Sequence, residues 1–167
     1  MKKLLFLLFI GLVIITGCTK NTSSNIGDEI TIKGINFKFD DEREFKDFIY
    51  KAPVEIEPDE SKMANYLTYE NKEIYDGRFV YRIVMMFQEN TKLEDALKNS
   101  NVSNPSYVNY NGQKWNRYIT DDDKQDAIVF VTEKNNNVYV INVLKYKEVE
   151  LPLDNLSKVF MNGLKLK

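Results

Sequence analysis

Histidine is absent from this 167-residue chain, and cysteine occurs once, as Cys18. Without an imidazole there can be no Ser-His-Asp or Cys-His nucleophilic system and no His-ligated zinc or copper centre. A single thiol also excludes an internal disulfide and an all-cysteine zinc site. Glycine is scarce, with 7 residues, and neither G-x-x-x-x-G-K nor G-x-G-x-x-G occurs, so the phosphate-cradling loops of nucleotide enzymes are missing. Basic residues are not in surplus: 23 Lys and Arg stand against 25 Asp and Glu, and the clustered positive charge that nucleic acid requires is lacking. No apolar run reaches the roughly twenty residues of a membrane-spanning helix.

What is present begins at the amino end. Met1, Lys2 and Lys3 make a positive segment, residues 4–15 are uncharged and apolar, and Ile15-Thr16-Gly17-Cys18 follows. Positive, apolar and small-residue regions in that order read as a secretory signal peptide. A dozen apolar residues are too few to cross about 30 Å of hydrocarbon. A buried cytosolic helix would show polar residues at helical spacing, and residues 4–15 show none.

The ending Ile15-Thr16-Gly17-Cys18 resembles the lipobox of bacterial lipoproteins, with isoleucine where leucine is commonest. The resemblance implies diacylglycerol on the Cys18 thiol and cleavage before it. Two acyl chains hold a protein stably at a membrane, since each buried CH₂ contributes about 0.8 kcal/mol. Loss of residues 1–17 removes Lys2 and Lys3, leaving 21 basic against 25 acidic residues and a formal charge of −4. The abundance of Asn, Lys and Ile fits an AT-rich, low-GC Gram-positive genome, in which the domain would lie outside the cytoplasmic membrane. The division expected is a signal peptide over 1–17, a lipidated cysteine and flexible tether over 18–28, and one domain over 29–167.

Along that domain, residues 30–32 and 35–39 alternate apolar with polar around Lys33-Gly34, as two short strands do. Asp40 to Arg43 reads as a charged turn, 45–50 as a strand, 54–63 as an acidic loop and 66–69 as a strand. Residues 79–87, FVYRIVMMF, are apolar on both faces except at Arg82, the pattern of a central strand covered above and below. Thr91 with Glu94 gives a capping box for a helix near 92–99, with Leu93, Ala96 and Leu97 on one face. Residues 107–110 and 114–120 flank Asn111-Gly112, a favoured hairpin turn. Residues 127–132 and 138–146 flank Asn135-Asn136-Asn137, and the second is again apolar on both faces, apart from Asn142. Pro152 opens a closing helix with Leu153, Leu156, Val159 and Phe160 inward, ended by Gly163. The sum is an α+β fold: one mainly antiparallel sheet of six or seven strands with helices packed on its faces.

This order of elements resembles the PsbP-like family. The Asn111-Gly112 turn followed by Lys114 and Trp115, the Asn-rich hairpin, the central Val-Tyr-Val strand and the ending LSKVFMNGLKL carry the likeness, over most of residues 30–167. The resemblance implies an α/β/α sandwich and a role in binding other proteins. It carries no catalytic residue, because the family shares none.

Two residue classes remain for chemistry. Asp121, Asp122, Asp123 and Asp126 are hard-cation ligands by type, but they lack the D-x-[DN]-x-[DN]-G spacing of a calcium loop, and a solvated turn is the simpler expectation. Trp115, Tyr107, Tyr110, Tyr118 and Arg117 are candidates for one binding surface on the hairpin. No catalytic residue, metal or cofactor is expected. The function expected is a non-catalytic binding or adaptor module held to the membrane by lipid, facing an envelope protein. A small apolar-ligand carrier with a Tyr- and Phe-lined pocket is the alternative, and a carboxylate-based envelope hydrolase a third.

Overall fold

The structure is a computed structural model that describes residues 29–32, 35–59, 65–72, 79–98 and 104–167. Ile15, Thr16, Gly17, Cys18 and the tether lie outside the described residues. In chain order the elements are β1 (Glu29–Ile32), β2 (Ile35–Phe45), β3 (Phe48–Pro53), β4 (Tyr66–Asn71), β5 (Tyr81–Gln88) and α1 (Leu93–Leu97). They are followed by β6 (Ser106–Tyr110), β7 (Gln113–Asp121), β8 (Gln125–Lys134), β9 (Asn137–Tyr146), α2 (Leu153–Asn162) and β10 (Lys165–Leu166).

The strands form two sheets. A six-stranded antiparallel sheet runs β4-β5-β9-β8-β7-β6, and β1-β2-β3-β10 form a four-stranded layer. The expected single sheet of six or seven strands is therefore corrected: the first three strands do not join the main sheet. Phe37, Phe39, Phe48 and Tyr50 are all buried, so the small layer needs an apolar surface opposite it. It finds one in Tyr81, Tyr139 and the α2 residue Phe160: Phe37 meets Tyr81 at 5.8 Å, Phe48 meets Tyr139 at 5.3 Å and Phe39 meets Phe160 at 6.5 Å.

The central strands expected from their two-sided hydrophobicity are β5 and β9, and they are neighbours, with Met85 opposite Ile141 and Ile83 opposite Val143. Because side chains alternate along a strand, Ile83, Met85, Ile141 and Val143 point toward α2 and the small layer, while Val84, Met86, Val140 and Leu144 point away. We call these the inner and outer faces. Helix α1 packs on the outer face through Leu93, Ala96 and Leu97, beside Val131, Val138 and Val140.

Local sequence explains the connections. Asn111 (φ 49°) and Gly112 (φ 80°) join β6 to β7, and Asn135 (φ 53°) and Asn136 (φ 61°) join β8 to β9. Positive φ at both central residues matches the right-handed twist of a hairpin, and Asn and Gly tolerate it. Helix α2 stops at Gly163, whose φ of −83° any residue adopts. Glycine is required there for space, since a Cβ would lie 2.9 Å from the Lys51 Cβ on β3.

Two local expectations fail. Asp40 to Arg43 is strand, not turn: alternation continues to Phe45, and the reversal falls at Lys46 (φ 55°) and Asp47. The capping box does not form either. Thr91 Oγ1 donates to the carbonyl of Glu89 at 2.9 Å, and the Leu93 amide donates to Glu133 Oε2 at 2.8 Å instead.

Candidate functional site

The five hairpin residues expected to form one surface are divided between the two faces. Register places Val108 opposite Trp115 and Ser106 opposite Arg117, all inner, and Tyr107 opposite Asn116 on the outer face with Tyr118. Trp115, the intended anchor, is 1% exposed and belongs to the inner core. Tyr110 sets its ring edge-on against Phe130 at 5.8 Å. Arg117 donates to Asp154 at the start of α2, 2.6 Å away. Tyr118 is buried on the outer face against Val131, Val138 and Val140. Tyr107 stands out as a large exposed ring, 62% accessible, with the Lys114 ammonium 4.1 Å from its ring centre. Nearness in sequence had stood in for a shared face, and a strand's period of two separates residues 115 and 118.

Clefts open at the surface among the described residues, and two are well formed. The first, of about 500 Å³, lies beside β4 and is lined by Glu55, Glu57, Asp59, Glu70, Lys72 and Arg82 among others. Its charges are engaged with one another. The Arg82 guanidinium donates to Glu70 at 2.6 Å and lies 4.3 Å over the Phe79 ring, which accounts for an arginine within an apolar strand. Arg43 donates to Asp41 at 2.6 Å and to Glu57 at 3.3 Å. The hydrogen bond to Asp41 raises the Arg43 pKa, fixing it as a cation. Behind this wall the hydroxyls of Tyr50 and Tyr69 meet at 3.0 Å, and burial pushes the Tyr69 phenol up.

The second cleft, of about 430 Å³, lies between the ends of β7 and β8 and the start of α2. Ile119, Leu151, Pro152 and Leu153 supply its apolar lining, and the ion pairs Arg117 with Asp154 and Lys145 with Asp126 supply its polar one. Alongside, the acidic loop has internal work. Asp122 Oδ1 accepts from the amides of Lys124 and Gln125 at 2.7 and 2.6 Å, which lowers its pKa, and Asp121 pairs with Lys147 at 2.5 Å. That pairing raises the Lys147 pKa. Among the described residues no group of three Asp, Glu, Cys or His side chains is placed to hold a metal ion.

The space between the main sheet and α2, where an apolar-ligand carrier would need its cavity, is filled by rings. Tyr50, Tyr81, Tyr139, Phe39, Phe48 and Phe160 are all at most 1% exposed. The feature that sequence reasoning missed is the edge of the main sheet at β6. Its signal was available in an uncharged five-residue strand, Ser-Tyr-Val-Asn-Tyr, set between Pro105 and Asn111-Gly112.

No protein-family model matches the sequence, and no curated protein matches it. Solved structures do match. One is a crystal structure from Bacteroides thetaiotaomicron VPI-5482, with a TM-score of 0.52 and 9% identity over 72% of this chain. The match spans 45% of that chain, less than half its length. At such low identity the likeness is one of fold alone.

Proposed function

We propose that this chain is a bacterial lipoprotein, anchored by lipid on Cys18 at the extracytoplasmic face of the cell membrane, whose PsbP-like α+β domain binds an envelope protein without catalysis. The observation that carries this reading is Ile15-Thr16-Gly17-Cys18, directly after a positive and then an apolar segment, with the chain's only cysteine at the point of lipidation. A polar stretch separates that cysteine from β1, which starts at Glu29 and suits a domain standing off a bilayer. The PsbP-like assignment is supported by a mainly antiparallel sheet with α2 on one face and α1 on the other, and by both asparagine-centred hairpins.

The same geometry favours a protein partner over the two alternatives. An apolar carrier needs an interlayer cavity, and aromatic rings occupy that space. A carboxylate hydrolase needs two carboxyl groups facing a substrate across a cleft. Here Glu70, Glu57, Asp121 and Asp126 are each held by an arginine or a lysine. The test is metabolic labelling of cells with palmitate, followed by fractionation, for the native chain and Cys18→Ser. The native chain is expected in the membrane pellet with label, and the variant without label. Equal label and equal pelleting for both would overturn the proposal.

A further inference from the structure

The main sheet has two edges, and they end differently. At the β4 edge the Asp59 amide donates to the Thr68 carbonyl at 2.8 Å, so the outward side of that strand is partly taken. At the β6 edge no backbone hydrogen bond on the outward side is made among the described residues. Tyr110 and Gln113 flank a two-residue turn and therefore form a hydrogen-bonded pair. Alternation along an antiparallel ladder then directs the backbone groups of Ser106, Val108 and Tyr110 toward β7 and those of Tyr107 and Asn109 outward. Both outward residues are exposed, and neither has a backbone partner among the described residues. Natural sheets blunt such edges with inward charge, proline or a bulge, and β6 contains none of these. Lys114, on the neighbouring strand, sets its ammonium over the Tyr107 ring.

We propose that β6 is a self-association edge at which a second copy of the chain adds its own β6, antiparallel, with Tyr107 of each copy opposite Asn109 of the other. Three features select a second copy and this register. The strand is uncharged, so two copies of an acidic protein meet without like-charge repulsion where they touch. A two-fold axis through Val108 pairs all the outward amides and carbonyls of Tyr107 and Asn109 with one another. Centring instead on Tyr107 would pair Asn109 with Pro105, which has no N–H to give. Centring on Asn109 would pair Tyr107 with Asn111, whose φ of 49° takes it out of the strand. Pro105 and the turn thus leave one symmetric register, and in it the two inner faces lie on the same side of a sheet continuous across both copies. The inference is independent of the lipid anchor, and its failure leaves the proposed localisation untouched.

Disulfide trapping in the full chain tests it, in a Cys18→Ser background so that the introduced thiol is the only one. Across the axis, the two Val108 Cα atoms would be about 4.5 Å apart, within disulfide range. The two Asn109 Cα atoms would be roughly 9 Å apart, beyond the ~7 Å limit. In detergent solution under mild oxidant, Val108→Cys should form a covalent dimer at least about tenfold faster than Asn109→Cys. Adding Asn109→Pro to Val108→Cys removes an outward N–H that β7 does not use, and should abolish the advantage while leaving the circular dichroism spectrum and Tm in place. Equal rates for the two cysteine variants, or a Val108→Cys rate that Asn109→Pro does not reduce, would overturn self-pairing. So would an adduct in whole-cell extracts whose mass is not twice that of the chain, since another protein's strand would then hold the edge.

Discussion

The two faces of the six-stranded sheet are made by alternate residues of the same strands, yet they are built to different standards. The inner face is covered by α2 and a whole second layer, and face and cover together bury Trp115, four tyrosines and four phenylalanines completely or nearly so. Among the described residues the outer face is covered by the five-residue helix α1, with Tyr118, Val131, Val138 and Val140 in one cluster and Phe79, Ala127 and Leu144 in another. Buried apolar area sets most of the folding free energy, so stability should reside inside, leaving the outer face and its edge available for contact.

The largest expected effect follows directly. Phe160→Ala removes a ring that touches both Phe39 and Tyr50, and should cost about 3–5 kcal/mol. Leu97→Ala on α1 removes a half-buried side chain and should cost about 1 kcal/mol. Urea unfolding midpoints for the two variants measure the contrast, and equal losses would erase the distinction between the faces.

Alkaline titration should reveal the buried phenols next, on the outer face as well, where burial raises the Tyr118 phenol. Burial, reinforced by its hydrogen bond to Asp47, pushes the inner Tyr139 phenol up to about 12. An unfolded tyrosine loses its proton near pH 10. The folded state therefore holds its proton longer, so this contribution is complete below pH 10 and disappears as the pH rises through 12. Tyr69, Tyr81 and Tyr110 are raised in the same direction by burial. Stability should thus fall between pH 10 and 12, and Tyr139→Phe should make that fall shallower in denaturant titrations at each pH.

A smaller effect concerns spacing. Gly→Ala at the end of a helix ordinarily stabilises by about 0.4–1 kcal/mol where the backbone permits it. Gly163 has such a backbone, but its Cβ would strike Lys51 near the main chain of β3. Gly163→Ala should therefore lose about 1 kcal/mol, a cost of overpacking. A rise in Tm would mean that the two layers separate more easily than their contacts suggest.

What could be read from the sequence was local or periodic. The two-sided hydrophobicity of residues 79–87 and 138–146 located the central strands β5 and β9, and Asn-Gly and the asparagine run located both hairpin turns. The apolar stripe of α2 followed from helical spacing. The second layer was hidden because its evidence lies in distant partners. Asp41 and Arg43 looked like a turn because a strand rich in charge has no local signature: they pair with each other, and Arg43 also reaches Glu57 in another segment. The candidate surface failed on phase: Trp115 and Tyr118 lie three residues apart, which in a strand means opposite faces. The β6 edge was missed because pairing order, which no local pattern encodes, decides which strand is outermost.

The smallest effect tests how the thin outer cover is attached. Thr91 and Glu94 match a capping box, and on that basis Thr91→Ala should cost about 1 kcal/mol. In the structure the Thr91 hydroxyl faces back to the carbonyl of Glu89, and its own amide donates to Asn136, so its contacts belong to the turns beside the helix. The carboxylate that receives the first helical amide is Glu133 on β8, 40 residues away from Leu93 in sequence. A carboxylate at a helix N-terminus also complements the helix dipole, by a few tenths of a kcal/mol at an exposed site. Glu133→Ala should therefore loosen α1 by about 0.5–1 kcal/mol, and Thr91→Ala by less. Amide exchange at Leu97 and Lys98 gives a direct readout, since both lie in the last turn. Faster exchange with Glu133→Ala than with Thr91→Ala would show that the cap crosses from helix to sheet. The reverse order would return the helix to its own local motif and leave the outer face without that tie.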